Sequence, residues 1–463
     1  MRSTIFARMT WTAAGALGLA GAATFSTDPA PSAAPEPITY AKHIAPIIQA
    51  KCEVCHRPGS IAPMSLTSYE ETRKAAGKIK QRVQSRTMPP WHLDKTVGIQ
   101  EFKNDRSLSD AEIKAVADWV DAGTPMGDAK DLPASPRWPD AREWQLAGKV
   151  GGAPDLIVKS KPYNVMARGQ DKWWRPVVDV PLSEARWVRA IEVKPSFPQG
   201  RRVVHHVLTT LEQPEKGITN LAASAAHAEH GGPMSAGLFM EWAVGKAGEI
   251  FPEDAGKLIL PGAKIRWEVH YYAIGETIPN DEVELGIWFY PKGYTPKNRT
   301  ILNFFNVAAG SDLDIPPGQK TMTQNFVQLR APARLENFQP HMHMRGKAMM
   351  MEAVYPDGRR EVLSHVNNFQ WNWHVNYIYA ENAAPVLPKG TTLVFTAWHD
   401  NTAQNPNNPD PEQWVGWGDR TVDEMAHAWV DVTYLEQTDY ERIVAERKKA
   451  RETRAATPSS GPR

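Results

Sequence analysis

Apolar residues in this chain change their period once. Up to about Leu132 they recur at helical spacing. Ile44, Ile47 and Ile48 mark a short helix, residues 69–85 read as an amphipathic basic helix, and Ile113, Val116, Trp119 and Val120 form the stripe of a third. Ser109-Asp110-Ala111-Glu112 is a capping sequence at the start of that third helix, and Gly123 is its stop. Beyond residue 158 the period falls to two. Residues 188–193, 202–211, 265–271 and 283–290 predict strands, and a second series runs from Asn303 to about Glu436. Tyr355-Pro356-Asp357-Gly358, Leu387-Pro388-Lys389-Gly390 and the polar stretch 401–411 supply its turns.

This order predicts a multidomain chain, an all-α domain followed by two all-β sandwiches of jelly-roll type. The all-α domain spans 38–132, a linker rich in proline, tryptophan and glycine spans 133–158, and the sandwiches span 159–300 and 301–436. A charged helical tail fills 437–463. At the other end, Arg2 and Arg8 precede an apolar run from Trp11 to Phe25 with an A-x-A-like site at Ala20-Gly21-Ala22. Residues 1–25 therefore predict an export signal, with an uncleaved membrane anchor as the alternative, and residues 26–37 a proline-rich spacer. The expected location is periplasmic or extracellular.

Composition narrows this picture modestly. With 42% hydrophobic and 23% charged residues over 463 positions, the chain has the profile of a globular protein. A net charge of +1 and the lack of a basic stripe argue against a nucleic-acid partner.

The two cysteines both lie in Cys52-Glu53-Val54-Cys55-His56. This is the C-x-x-C-H spacing of a covalently attached c-type haem: two thiols form thioethers to one porphyrin and the adjacent imidazole reaches the iron. A zinc site would need a second Cys/His pair at ribbon distance, and none follows. The order helix, haem motif, helix, loop, helix resembles class I cytochrome c. Met88, in Arg86-Thr87-Met88-Pro89-Pro90-Trp91, is the expected sixth iron ligand, with Met64, Met126 and His92 as competitors.

Three histidine features stand in the β region. His205 and His206 are neighbours, and strand neighbours point to opposite faces, so both reach one metal only if the strand bends or bulges. His270 lies on the polar face of its strand with Arg266 and Glu268, opposite Ile265, Trp267, Val269 and Tyr271. In Pro340-His341-Met342-His343-Met344-Arg345-Gly346 the two histidines, two positions apart, share one face. Near the end, Thr421-Val422-Asp423-Glu424-Met425-Ala426-His427 opens a strand whose apolar face holds Ala426, Ala428, Val430 and Val432, leaving Met425 on the other. Imidazoles with a thioether suit copper, because the thioether stabilises Cu(I).

The order His-His, V-H-Y, H-x-H, D-E-M resembles the copper type II, ascorbate-dependent monooxygenases, the family of peptidylglycine α-hydroxylating monooxygenase and dopamine β-monooxygenase. The resemblance covers roughly residues 160–436, and the front third resembles the cytochrome c domain fused to such modules in bacterial proteins. It implies two β-sandwiches facing each other across a solvent-filled cleft, with one copper each. His205, His206 and His270 would hold an electron-transfer copper. His341, His343 and Met425 would hold the copper at which O2 is used to hydroxylate a substrate C–H bond. Electrons would enter through the haem, from ascorbate, or from a redox protein. Two departures matter: this chain has no cysteines left for the disulfides of the animal enzymes, and nothing matches the residues that grip a peptide carboxylate or a catecholamine. The substrate expected is a small molecule or peptide of unspecified structure. The alternative is a non-catalytic c-type cytochrome whose copper-binding β domains serve electron transfer or copper handling. A further alternative is a degenerate module with structural histidines.

Overall fold

Two four- and five-stranded sheets each pack on one half of a single eleven-stranded sheet, and this shared sheet runs through the whole β region. The computed structural model describes residues 36–140, 142–213, 237–243, 246, 248–308 and 310–456. The expected export signal, nearly all of the proline-rich spacer and the last seven residues lie outside the described residues. Among the described residues no helix is long and apolar enough to cross a membrane.

The first sandwich places strands Val204–Glu212 and Lys264–Tyr271 over strands Arg186–Pro195 and Val283–Phe289. Its core is the alternating set anticipated from the pattern: Ile265, Trp267, Val269 and Tyr271 point inward with Val188, Ile191, Leu285 and Ile287. The second sandwich places strands Lys320–Gln328, Gly346–Val354 and Thr392–Asp400 over strands Asn337–Met342 and Ala426–Tyr434. Strand Asn298–Ala308 pairs antiparallel with Ala426–Tyr434 and, at Asn298 and Arg299, in parallel with Ala255 and Gly256 of the first sandwich. That parallel junction fuses the sandwiches edge to edge.

Between them lies a small apolar seam of Leu208, Leu238, Leu302 and Trp429. A fully enclosed ion network adjoins it: Lys246 bridges Glu241 (3.3 Å) and Glu249 (2.6 Å), and Lys257 reaches Asp431 (3.1 Å) of the second sandwich. Removing one partner of such a network strands an unpaired buried charge, so the network favours one registration of the two sandwiches.

The longest helices described ahead of the sheets are α1 (Ala45–Lys51), α2 (Tyr69–Gln84) and α3 (Asp110–Asp121). Both longer helices open with capping boxes, Ser68 with Glu71 and Ser109 with Glu112. Their apolar stripes meet in a small core of Tyr40, Ile44, Ile48, Ile79, Val83, Val116 and Trp119.

The expected class, an all-α cytochrome c-like domain followed by two all-β sandwich domains, is corrected here. Among the described residues there is no separate N-terminal all-α domain: the structure is 36% strand against 18% helix, and Ile38–Arg463 forms one compact unit. The physical reason lies between α2 and α3. Residues 91–104 leave the helices and run along the second sandwich, where Trp91 and Leu93 are part of the buried core. Leu93 bridges to Val366 and Phe102 to Tyr379, while the amides of Asp94, Ile99 and Lys103 donate to the carbonyls of His365, Leu363 and Ile378. A segment that gives its apolar residues to another core cannot belong to a self-contained helical domain. The two sandwiches likewise share a sheet. The 133–158 stretch, expected as a linker, packs Trp144 edge-on against Trp288 at 6.0 Å and contains the short helix Ala147–Val150.

Candidate metal centre

The strand that carries His205 and His206 is bulged at the required place. Strand Lys264–Tyr271 pairs His270 with His206, but its next residue, Tyr271, pairs with Val204. His205 is therefore the extra residue of a β-bulge, which lets adjacent side chains turn to one point. His205 Nδ1 lies 3.0 Å from His206 Nδ1, and His270 Nδ1 lies 3.3 Å from His206 Nδ1. Among the described residues these three form the one group of His, Cys, Asp or Glu side chains close enough to share a metal ion.

The protonation of this trio is set from outside it. His270 Nε2 faces Asp171 Oδ2 at 3.1 Å, so its proton sits on Nε2 and its Nδ1 presents a lone pair to the other two rings. A neutral His206 has one N–H and cannot satisfy both neighbours through a single Nδ1. At most one of the two short contacts is therefore a full hydrogen bond, and a cation between the rings would satisfy the nitrogens that remain. Trp173 stacks on His270 at 4.8 Å and 9° and meets His206 edge-on, closing the far side. Burial holds His205 down at about 4 and His206 well below the ordinary value, each helped by the neighbouring His270. Both are neutral at pH 7, the state in which imidazole binds metal.

His341 and His343 come together as the two-residue spacing requires, with ring centroids 5.2 Å apart. His341 sits opposite His427 on strand Ala426–Tyr434, the rings stacked at 4.4 Å, and His427 Nε2 is buried without a hydrogen-bond partner. His343 Nδ1 donates to the Asp423 carbonyl at 3.1 Å. Met425 is buried one residue before the strand. Its amide donates to Glu424 Oε2 (3.3 Å), and its carbonyl accepts from His399 Nε2 (3.3 Å).

Glu424 holds the two loops together. Its buried carboxylate accepts from the backbone amides of His343 (2.9 Å) and Arg345 (2.5 Å) as well as Met425. Arg345, itself fully buried, donates to Asn401 Oδ1 (2.8 Å) and the Val422 carbonyl (2.9 Å). The second halves of the H-x-H and D-E-M motifs thus read as a clamp.

Histidines of the two sandwiches meet. His206 and His341 rings lie 6.0 Å apart, and His374, from the 367–376 segment, lies 4.2 Å from His341 and 6.0 Å from His205. The solvent-filled cleft implied by the resemblance is replaced at this point by ring contact. Pattern reading missed His374, Asp171 and Trp173; the only signal was the polar residue at the end of the aromatic run Trp371-Asn372-Trp373-His374.

The Cys52–His56 motif caps α1. Both thiols are free, and burial pushes the Cys52 thiol up to about 12 and raises that of Cys55. His56 Nδ1 donates to the Met64 carbonyl at 3.1 Å, which leaves Nε2 for an axial bond. Val54, Ile61 and Met64 beside it are exposed apolar side chains of the kind a porphyrin covers. Arg201, four residues before His205, donates to the Gly59 carbonyl of this loop at 3.3 Å. Met88 is half-buried in the turn after α2, its amide donating to the Arg82 carbonyl. Of its competitors, His92 is buried and its amide donates to Tyr377 Oη (3.2 Å), Met126 packs on the helical core, and Met64 is exposed.

No protein-family model matches the chain, and no curated protein matches it. Among solved structures it is similar to infectious bursal disease virus, Gx strain, at 9% identity over 61% of this chain and 72% of that one, with a TM-score of 0.17. A two-domain protein of unknown function from Bacteroides fragilis is matched at 9% identity over 63% and 99%, TM-score 0.15. Procruciferin from Brassica napus is matched at 9% over 61% and 85%, TM-score 0.13. Scores this low carry no argument about function.

Proposed function

We propose that the chain is an exported haem- and copper-dependent monooxygenase that hydroxylates a C–H bond of an organic substrate, as its resemblance to the copper type II, ascorbate-dependent family implies. The observation that carries this reading is that two histidine groups, one from each sandwich, share one buried centre. When bound, the haem would supply one-electron transfer and the two copper ions would use O2 with two electrons and two protons, placing one oxygen atom in the substrate and releasing the other as water.

The chain's own residues divide this work. Cys52 and Cys55 would hold the haem covalently, and His56 and Met88 would supply its protein ligands. His205, His206 and His270 would hold one copper, with Asp171 keeping the His270 lone pair aimed inward. His341, His343 and Met425 would hold the second copper, and Glu424 with Arg345 ties together the two loops that carry them. Burial keeps all these imidazoles neutral and keeps bulk water out. Ascorbate or a partner redox protein would reduce the haem.

Haem reoxidation by O2 tests the coupling. Copper-loaded protein should reoxidise much faster than copper-free protein, and equal rates would sink the reading. The enclosure of the histidines favours one rival, a non-catalytic electron-transfer or copper-handling protein. Met425→Ala separates the two: an oxygenase loses substrate hydroxylation while keeping haem and the first copper, whereas a carrier loses only some copper affinity.

A further inference from the structure

The ion network at the seam is uneven in charge. It sets three buried carboxylates, Glu241, Glu249 and Asp431, against two buried ammonium groups, Lys246 and Lys257. The lysines favour two of the three acids. Glu249 receives Lys246 at 2.6 Å and Lys257 at 3.4 Å, and Asp431 receives Lys257 at 3.1 Å. Glu241 has only the longer contact from Lys246, 3.3 Å to Oε2, and its Oε1 is buried without a hydrogen-bond partner. A buried carboxylate that is poorly paired neutralises itself by taking a proton. Burial pushes the Glu241 carboxyl up to about 7, and Glu249 adds to this against the pull of Lys246 and Gln339. Burial raises Asp431 as well, with Lys257 opposing it.

Glu241 stands one rung along the seam from the histidines. On strand Leu238–Ala243 it pairs with Leu208, and Ala243, two residues on and so on the same face, pairs with His206. In the second sandwich Gln339 pairs with Trp429 and is likewise two residues from His341. The cross-strand neighbours Leu208 and Trp429 pack in one cluster, and Gln339 lies within hydrogen-bonding reach of the Glu241 carboxyl. Gln339 Nε2 donates to the His374 carbonyl at 3.3 Å, while its Oε1 is buried without a partner. A proton on Glu241 supplies the donor that both orphaned oxygens lack. At the other end of the network, a cavity of about 40 Å³ lined by Glu249, Asp431 and Lys103 has room for a water molecule.

We propose that Glu241 is held as a protonated carboxylic acid near neutral pH and serves the histidine centre as its proton store. The role rests on the oxygenase reading above, in which each turnover consumes two protons that neutral imidazoles do not provide. The bond that breaks is the Glu241 O–H. The proton ends in the water released, the electrons come from the haem, and the carboxylate is reprotonated from cavity water through the ion network.

Infrared spectroscopy of the haem-loaded, copper-free full chain tests the protonation. The wild-type minus Glu241→Gln difference at pH 6 should contain the C=O stretch of a protonated acid, shifted in D2O. Glu192 and Glu424, whose carboxyls burial also pushes up to about 7, are present in both proteins and cancel. A difference spectrum without the band would overturn the proposal. If Glu241→Gln does not fold, Gln339→Met decides: losing the acceptor must move the band, and an unmoved band overturns the assignment. Haem reoxidation by O2 in copper-loaded protein tests the role. The wild-type rate should fall as pH rises through about 7. Glu241→Gln should keep its copper, react about 100-fold more slowly and lose that pH dependence. An unchanged rate and profile would overturn the proton store. Wild-type protein that binds no copper would overturn the oxygenase reading and the role with it, while the infrared band still reports whether Glu241 holds the proton.

Discussion

His206 and His341 belong to different sandwiches, yet their rings lie 6.0 Å apart. The contact depends on the parallel junction of Asn298 and Arg299 with Ala255 and Gly256, which fixes how one sandwich is set against the other. Anything that orients either trio therefore acts on a joint centre, and the predictions separate the parts.

Asp171→Asn should leave the fold intact while weakening copper at the first site. Losing the carboxylate that holds the His270 tautomer costs about 10- to 100-fold in metal affinity at comparable sites. Competitive titration against a chelator of known copper affinity reads this directly, and affinity at the second site should change little.

Glu424→Ala should be costly for stability and for the second site together. It leaves the buried amides of His343 and Arg345 without an acceptor, at about 1–3 kcal/mol each. Chemical denaturation should show a loss of roughly 3 kcal/mol. Copper at His205, His206 and His270 should persist in the protein that remains folded.

Acid should destabilise the metal-free protein. Burial holds His92, His205, His343 and His399 at about 4, against an ordinary value of 6.5. Between those values the unfolded chain binds more protons than the folded one. Stability is thus full above about 6.5 and falls as pH drops towards 4, by up to about 1.4 kcal/mol per pH unit for each histidine. Denaturation midpoints at pH 7, 5.5 and 4.5 check the direction. Copper saturation should shift the loss to lower pH, since protons and metal compete for the same nitrogens.

Met88→Ala should leave the haem covalently bound through Cys52 and Cys55 but lower its reduction potential and open the sixth position, because Met/His ligation raises the potential. Redox titration and the optical spectrum read both effects. An unchanged potential would move the sixth ligand to another residue.

Much of the β architecture was legible because its causes are local. Ile265, Trp267, Val269 and Tyr271 alternate with polar neighbours, and that alternation is the burial observed. The His205–His206 requirement for a bulge could be stated from the period of a strand alone, and the register slip at Tyr271 supplies it. The helical region misled for the opposite reason. Its three helices carry clear stripes, but Trp91, Leu93 and Phe102 are isolated apolar residues in a loop. No period in the chain reveals that their partners are Tyr377, Val366 and Tyr379. His374 and Asp171 are of the same kind: 33 and 99 residues from the histidines they meet, they become site residues only through tertiary folding. Glu424 and Arg345 stood inside recognised motifs, yet their role as a clamp needed the two loops side by side.

The central claim is a haem and two copper ions on one chain, and the metal content of the purified protein tests it most directly. Iron and copper measured by elemental analysis, with haem quantified by its pyridine spectrum, should give about two copper ions per covalent haem. Protein that carries one haem per chain and no copper, even after reconstitution with Cu(I), would contradict the account.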